Sequence, residues 1–243
     1  MTRSCRNSAR RLVSVGMLVL CVGLARTPVA AAAESAPDSL QAALTVWREG
    51  LQTVTSIASD FVQEKRLALF RDPLVIRGRL HLSTDGRFAW ETHWPVRYKL
   101  VVADGCVRQW DEETGRVQTI SMRDNPAAAA IHAQMSVWFS GRFEEVADAY
   151  AVELASASPV VFVFTPIAGS PAADYLQSVE VQLRPDGRYL DRVRILERSG
   201  DHTAISFFAT VLNPDLPEAT WDVRKMSAGL PAQAVAAPAL RNE

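Results

Sequence analysis

The feature that most limits what this chain can become is a two-residue rhythm of apolar and polar side chains, broken at short intervals by turn-forming pairs. Ile76, Gly78, Leu80 and Leu82 alternate with Arg77, Arg79 and His81. Phe88, Trp90, Thr92 and Trp94 alternate with Arg87, Ala89, Glu91 and His93, and Tyr98, Leu100 and Val102 continue in the same style. Successive strand side chains point to opposite faces, so these segments read as strands with one face for a core and one for water. Asp85-Gly86 and Asp104-Gly105 can take the positive φ that tight hairpins demand, and Glu113-Thr114-Gly115 closes a third. Residues 58–120 therefore read as an antiparallel meander of about six strands.

The rhythm returns after residue 150. Tyr150 to Leu154 precedes the apolar run Val160 to Thr165, and Val179, Val181 and Leu183 alternate with Glu180, Gln182 and Arg184. Pro185-Asp186-Gly187 turns into Tyr189 to Glu197, and Ser199-Gly200-Asp201 turns into Thr203 to Leu212. Pro214 and Pro217 end the sheet, with one further short strand expected around Ala219 to Val223.

Two stretches keep a helical period instead. Leu40, Leu44, Trp47, Leu51 and Val54 form one stripe, opened by Pro37-Asp38-Ser39. Ile131, Met135, Trp138 and Phe139 form another, between a start at Asn125-Pro126 and a stop at Ser140-Gly141. The expected class is α+β: a single large curved antiparallel sheet of about ten or eleven strands. A sheet that size closes, splits into layers or is covered. Here two apolar-striped helices are available for its concave face.

The N-terminus carries the compartment signal. Arg3, Arg6, Arg10 and Arg11 precede an apolar run from Leu12 to Leu24, and Ala30 to Ala33 offer small-residue cleavage sites. That is the layout of a secretory signal peptide, expected over residues 1–33. The run falls short of the ~20 apolar residues a membrane-spanning helix needs. Cys21 would be a lipidation site only with a small residue before it, and Leu20 stands there. Cleavage after Ala33 would leave Cys106 as the one cysteine, with no internal disulfide expected, and 21 basic against 27 acidic residues. That acidic balance argues against a nucleic-acid partner. The remainder is expected as one domain over residues 34–226 and a disordered Ala/Pro-rich tail over 227–243.

Catalytic signatures are missing. The chain has no His-Glu-x-x-His, Cys-x-x-Cys, Gly-x-Ser-x-Gly, P-loop or dinucleotide fingerprint. His81 and His93 fall on polar strand faces and could approach each other, with Glu91 or Asp85 as a conceivable third metal ligand. They read as solvated strand histidines, and His132 as a surface residue. No enzyme activity, metal or cofactor is expected. Bulky apolar side chains are what stand out: Trp47, Trp90, Trp94, Trp110 and Trp138 lie on the helices or in the first meander, and Phe88, Phe162, Phe164, Phe207 and Phe208 add rings. Most fill a core, but the same chemistry suits an acyl chain, at ~0.8 kcal/mol per buried CH₂.

Several of these pieces, in this order, resemble a known family. Phe61-Val62-Gln63-Glu64-Lys65, Gly78-Arg79-Leu80-His81-Leu82, Phe88-Ala89-Trp90-Glu91 with Pro95, Asp104-Gly105 and Trp110 resemble the periplasmic LolA family of outer-membrane lipoprotein carriers. Pro185-Asp186-Gly187 and Leu216-Pro217…Trp221-Asp222-Val223 extend the match to roughly residues 40–223. The resemblance implies an unclosed half-barrel sheet covered by helices. It also implies acylated cargo carried by a monomer from an inner-membrane exporter to an outer-membrane acceptor. Leu80, Leu82, Phe88, Trp90, Leu100 and Val102 would line the cavity from the sheet, with Phe162 and Phe164. Trp47, Leu51, Ile131, Met135 and Trp138 would cover it.

One departure matters. The family's usual Arg-Pro pair, whose arginine tethers the lid, is replaced here by Ser83-Thr84-Asp85-Gly86-Arg87. Arg87 sits in a different register, so the latch role is not transferred to it. The cargo could equally be another lipid-linked molecule, such as a glycolipid or a polyene-type acyl product. A non-transporting lipid or lipoprotein sensor that regulates a membrane partner is the alternative on the same fold.

Overall fold

The computed structural model describes residues 37–125 and 148–228. The signal peptide, the second helical stripe with Ile131, Met135 and Trp138, and the chain beyond Ala228 lie outside the described residues.

Helix α1 runs Pro37–Leu51, with proline in its first turn and Arg48 in its last. Eleven strands follow: β1 Ser56–Arg66, β2 Leu74–Ser83, β3 Phe88–Trp94, β4 Tyr98–Ala103, β5 Cys106–Asp111, β6 Val117–Ser121, β7 Tyr150–Ala157, β8 Val160–Pro166, β9 Leu176–Leu183, β10 Leu190–Glu197 and β11 His202–Leu212. They form one antiparallel sheet in the order β6-β5-β4-β3-β2-β1-β11-β10-β9-β8-β7. The two meanders are thus joined by the pairing of β1 with β11, in which Phe61 lies opposite Phe207. β6 and β7 stand at opposite edges, so the sheet is not closed into a barrel.

The alternation read from the sequence sorts the side chains onto two faces. Phe61, Leu80, Phe88, Val102, Phe162, Phe164, Val179, Val181 and Phe207 join Trp47 of α1 in one buried apolar cluster. The Trp47 and Phe162 rings stack with centroids 5.4 Å apart, which seats the helix over β8. Asn213, at φ 58°, ties the helix exit to the end of β11. Its Oδ1 accepts from the Thr55 amide at 2.7 Å and its Nδ2 donates to the Thr53 carbonyl at 3.0 Å.

One expectation changes. Ala219 to Val223 forms no strand: Glu218–Trp221 is a 3-10 turn led by Pro217. This segment lies against the other face of the sheet, where Trp221 and Val223 pack on Ala89, Val101 and Ala103, so no strand edge is within reach for pairing.

Gly78 marks where the sheet is tightest. It stands opposite Phe61 on β1, and the β2–β3 register shifts between Arg77 and Gly78. A Cβ there would lie 1.9 Å from the Glu91 carbonyl oxygen and 2.5 Å from the Phe61 ring. The Phe61 ring occupies the space a side chain would need and stacks on Trp90 with centroids 3.9 Å apart. Gly78→Ala is expected to lower unfolding free energy by roughly 1–3 kcal/mol or more through overpacking. Urea denaturation checks this, and an unchanged midpoint would refute the packing account.

Candidate functional site

The helix-bearing face is the candidate binding surface. Ten of the thirteen side chains expected to bind lipid fall within the described residues, and all ten belong to the single apolar cluster on this face. Trp47, Leu80, Phe88, Val102, Phe162 and Phe164 are buried, while Leu51, Leu82, Trp90 and Leu100 are half-buried around them. The strand period brings them together: Leu82 pairs with Phe88, Leu80 with Trp90, Trp90 with Leu100 and Phe88 with Val102. Phe61, Val107, Tyr150, Tyr189 and Phe207 extend the cluster across the sheet. Their phase in the alternation marks them, and the sequence reading had left them out of the site.

The opposite face carries a different chemistry. Glu91 on β3 and Lys99 on β4 are register partners, both fully buried, with Lys99 Nζ 2.8 Å from Glu91 Oε1. The C-terminal segment covers them. Lys99 Nζ donates to the Lys225 carbonyl at 2.6 Å, and the Ser227 amide and hydroxyl donate to Glu91 Oε2 at 2.8 and 2.7 Å. Ser227, where the tail was expected to begin, is therefore held by the sheet. Burial alone would push the Glu91 carboxyl up, but its contacts with His93, Lys99 and Ser227 and the Lys99 charge outweigh it and hold the group at about 2.

The two histidines flank this pair and are not solvated as expected. His93 Nε2 lies 3.6 Å from Glu91 Oε2, and His81 Nδ1 lies 3.8 Å from Oε1, beyond hydrogen-bond reach. Burial, helped by the Lys99 and Arg79 charges and opposed by Glu91 and Asp60, lowers the His81 pKa to about 4. The cation that satisfies Glu91 is Lys99. Among the described residues no three His, Cys, Asp or Glu side chains converge as metal ligands.

Arg87 clamps the same segment further along. It bonds Asp85 at 2.6 Å and Glu218 at 2.7 Å, and its guanidinium sits 4.7 Å from the centre of the Trp221 ring. Its partners thus belong to the β2–β3 hairpin and the C-terminal segment.

Two outcomes follow from the buried charges. Lys99→Met strands the Glu91 carboxylate and is expected to cost roughly 3–5 kcal/mol of stability in urea denaturation. Adding Glu91→Gln should recover part of that loss, and a double variant as unstable as the single would count against the pairing. Neutral His81 is favoured in the folded chain, whereas the unfolded chain protonates near the ordinary value of 6.5. Stability should therefore fall as pH drops from about 6.5 towards 4, by up to ~1.4 kcal/mol per pH unit from this group. His81→Gln should remove that part of the slope, and identical pH profiles for variant and wild type would refute the assignment.

The comparisons with known proteins bear on the whole described sheet. No curated protein matches the sequence significantly. Among solved structures, the MucA/MucB complex of Pseudomonas aeruginosa is similar at 17% identity over 79% of this chain and 61% of that one, with a TM-score of 0.44. A putative outer membrane lipoprotein-sorting protein domain from Vibrio parahaemolyticus is similar at 13% identity over 76% and 99%, with a TM-score of 0.42. Mycobacterium tuberculosis lipoprotein LppX is similar at 10% identity over 75% and 99%, with a TM-score of 0.44. The family profile described as outer membrane lipoprotein carrier protein LolA matches residues 52–223, which span the sheet from the end of α1 to the buried Val223, and the chain therefore belongs to the LolA family.

Proposed function

We propose that this protein is a periplasmic carrier that takes up the acyl chains of a lipoprotein, or of another lipid-linked cargo, against the helix-bearing face of its sheet and moves them from the inner to the outer membrane. The observation that carries the reading is the continuity of that face: one cluster of aliphatic and aromatic side chains runs from Val107 on β5 to Tyr150 on β7. Family membership supports the same reading. Export rests on the arginine-rich start and the small residues Ala30 to Ala33. Among the described residues no helix is long and apolar enough to cross a membrane.

On this reading the protein has no catalytic step. Acyl chains gain ~0.8 kcal/mol for each CH₂ withdrawn from water, so eight methylenes supply about 6 kcal/mol before ordering costs. The half-buried Leu82, Trp90 and Leu100 are the part of the face a chain can reach with least displacement of core side chains. An inner-membrane exporter and an outer-membrane acceptor would be its partners.

The test is mass spectrometry of lipid recovered with the protein from a periplasmic extract, alongside fluorescent fatty-acid binding. Acylated species should co-purify, and Leu100→Asp should weaken fatty-acid binding at least tenfold by placing a charge on the acyl surface. Wild-type protein that yields no acylated species and binds no fatty acid would remove the proposal.

A further inference from the structure

The helix-bearing face ends in a polar corner on β3 to β6. Strand phase puts Thr92, Tyr98, Gln109, Asp111 and Gln118 on the same side as Phe88, Leu100, Val107 and Ile120 of the apolar cluster. Tyr98 stands between Thr92 and Asp111 in the ladder, and Gln109 between Leu100 and Gln118. Opposed and diagonal neighbours on one face lie within about 4.5–8 Å of one another. The corner therefore adjoins Trp90 and Leu100, two of the half-buried side chains an acyl chain can reach.

Much of its hydrogen-bonding capacity is not used inside the protein. The Thr92 hydroxyl donates to the Val96 carbonyl at 2.8 Å, and Asp111 accepts from the Thr114 amide and hydroxyl at 2.7 and 2.8 Å. The side chains of Tyr98, Gln109 and Gln118 make no hydrogen bond among the described residues, yet their polar atoms reach the surface. Burial, with the Asp111 charge, pushes the Tyr98 hydroxyl up to about 12, so it stays protonated and able to donate.

Charge at the corner disfavours an anion. Asp111 lies opposite Tyr98, and on the flanking turns Arg97 is 3.3 Å from Glu112. With Glu113 and Arg116, two basic side chains there face three acids. Lys99 and Arg108 are in the opposite phase, beside Glu91 and Asp104. A phosphate calls for cations and offers only acceptors, whereas the amide oxygens of Gln109 and Gln118 need donors in return. A hydroxyl group supplies both.

We infer that this corner seats the head of the lipid cargo and selects an uncharged, hydroxyl-bearing head over a phosphate, with the acyl chains running from it across Leu100, Trp90 and Leu82. Tyr98 and Gln109 supply the hydrogen bonds, and Asp111 supplies the discrimination against an anion. The inference deepens the carrier reading and rests on it.

Calorimetric titration of the full chain with lipids of identical acyl chains tests it: dioctanoylglycerol, its monogalactosyl derivative and dioctanoyl phosphatidate. The better neutral lipid should bind roughly tenfold more tightly than the phosphatidate. Tyr98→Phe/Gln109→Met should weaken that neutral lipid roughly fivefold, and leave binding of the headless fluorescent probe diphenylhexatriene unchanged. Asp111→Asn keeps an acceptor for the Thr114 amide, and should strengthen phosphatidate binding roughly threefold while sparing the neutral lipids. Melting temperatures should stay at the wild-type value in both variants. Weakening confined to the galactolipid assigns the corner to a sugar, and weakening of both neutral lipids assigns it to the glycerol oxygens. Phosphatidate bound as tightly as the neutral lipids, or a probe weakened as much as they are, would overturn the head subsite and leave the carrier reading standing. Failure of every lipid and of the probe to bind would remove the carrier reading and the inference with it.

Discussion

The arrangement of this protein turns on a carboxylate withdrawn from water. Glu91 has no exposure, and an ion in that position persists only with a partner charge and donors for its remaining lone pairs. Lys99 supplies the charge from the adjacent strand, and Ser227 supplies two donors from the far end of the chain. The requirement is reciprocal, because Lys99 spends another proton on the Lys225 carbonyl. A pair of this kind adds little net stability over a hydrophobic replacement, but it tolerates no loss of a partner. Its effect is to specify where the C-terminal segment lies. With Arg87 gripping Glu218 and stacking on Trp221, the segment is fastened near both of its ends.

Sealing one face in this manner leaves the other free for apolar work. The two faces are one residue apart along every strand, so a change in strand position acts on both. Gly78 shows how closely they are coupled: the Phe61 ring on one side and the Glu91 backbone on the other converge on the space a side chain would fill. The aromatic stack of Phe61 on Trp90 and the ion pair of Glu91 with Lys99 therefore share β3 as a common rail. On the proposed reading, rigid anchoring of that rail suits a surface that would receive a flexible chain, because the wall need not be ordered when the ligand arrives.

Most of the sheet was legible in the sequence because its rule is local. Alternation and turn pairs marked about ten or eleven strands closely enough to place Leu80, Phe88, Trp90 and Val102 on one face. Asp104-Gly105 takes positive φ at both residues, 53° and 69°, as the turn between β4 and β5 requires. Burial of the polar phase was not legible. Glu91, Lys99, His81 and His93 obey the solvent-facing rhythm, and only a segment some 130 residues away turns that surface into an interior. A faint signal existed in Ala89, Val101 and Ala103, small apolar residues in the supposedly wet phase, which receive Trp221 and Val223. The strand expected near Ala219 failed for the same reason: the segment covers a face and joins no edge.

The position of Arg87 carries the argument furthest. In the family pattern an arginine before the Phe-x-Trp-like strand tethers the helical lid, and here the arginine on that hairpin serves the C-terminal segment on the opposite face. Among the described contacts that hold α1 are the Trp47–Phe162 stack, the Asn213 bonds at its exit, the packing of Leu40, Ala43, Leu44 and Leu51 on the same apolar cluster, and the approach of Gly50 to the β9–β10 turn at Arg188. Ring stacking is short-ranged and non-ionic, so it gives way to a competing apolar surface far more readily than a charged tether does. An acyl chain offers such a surface. On the proposed reading, cargo competes with Phe162 for Trp47, so this part of the hold on α1 uses the same apolar chemistry that binds the cargo.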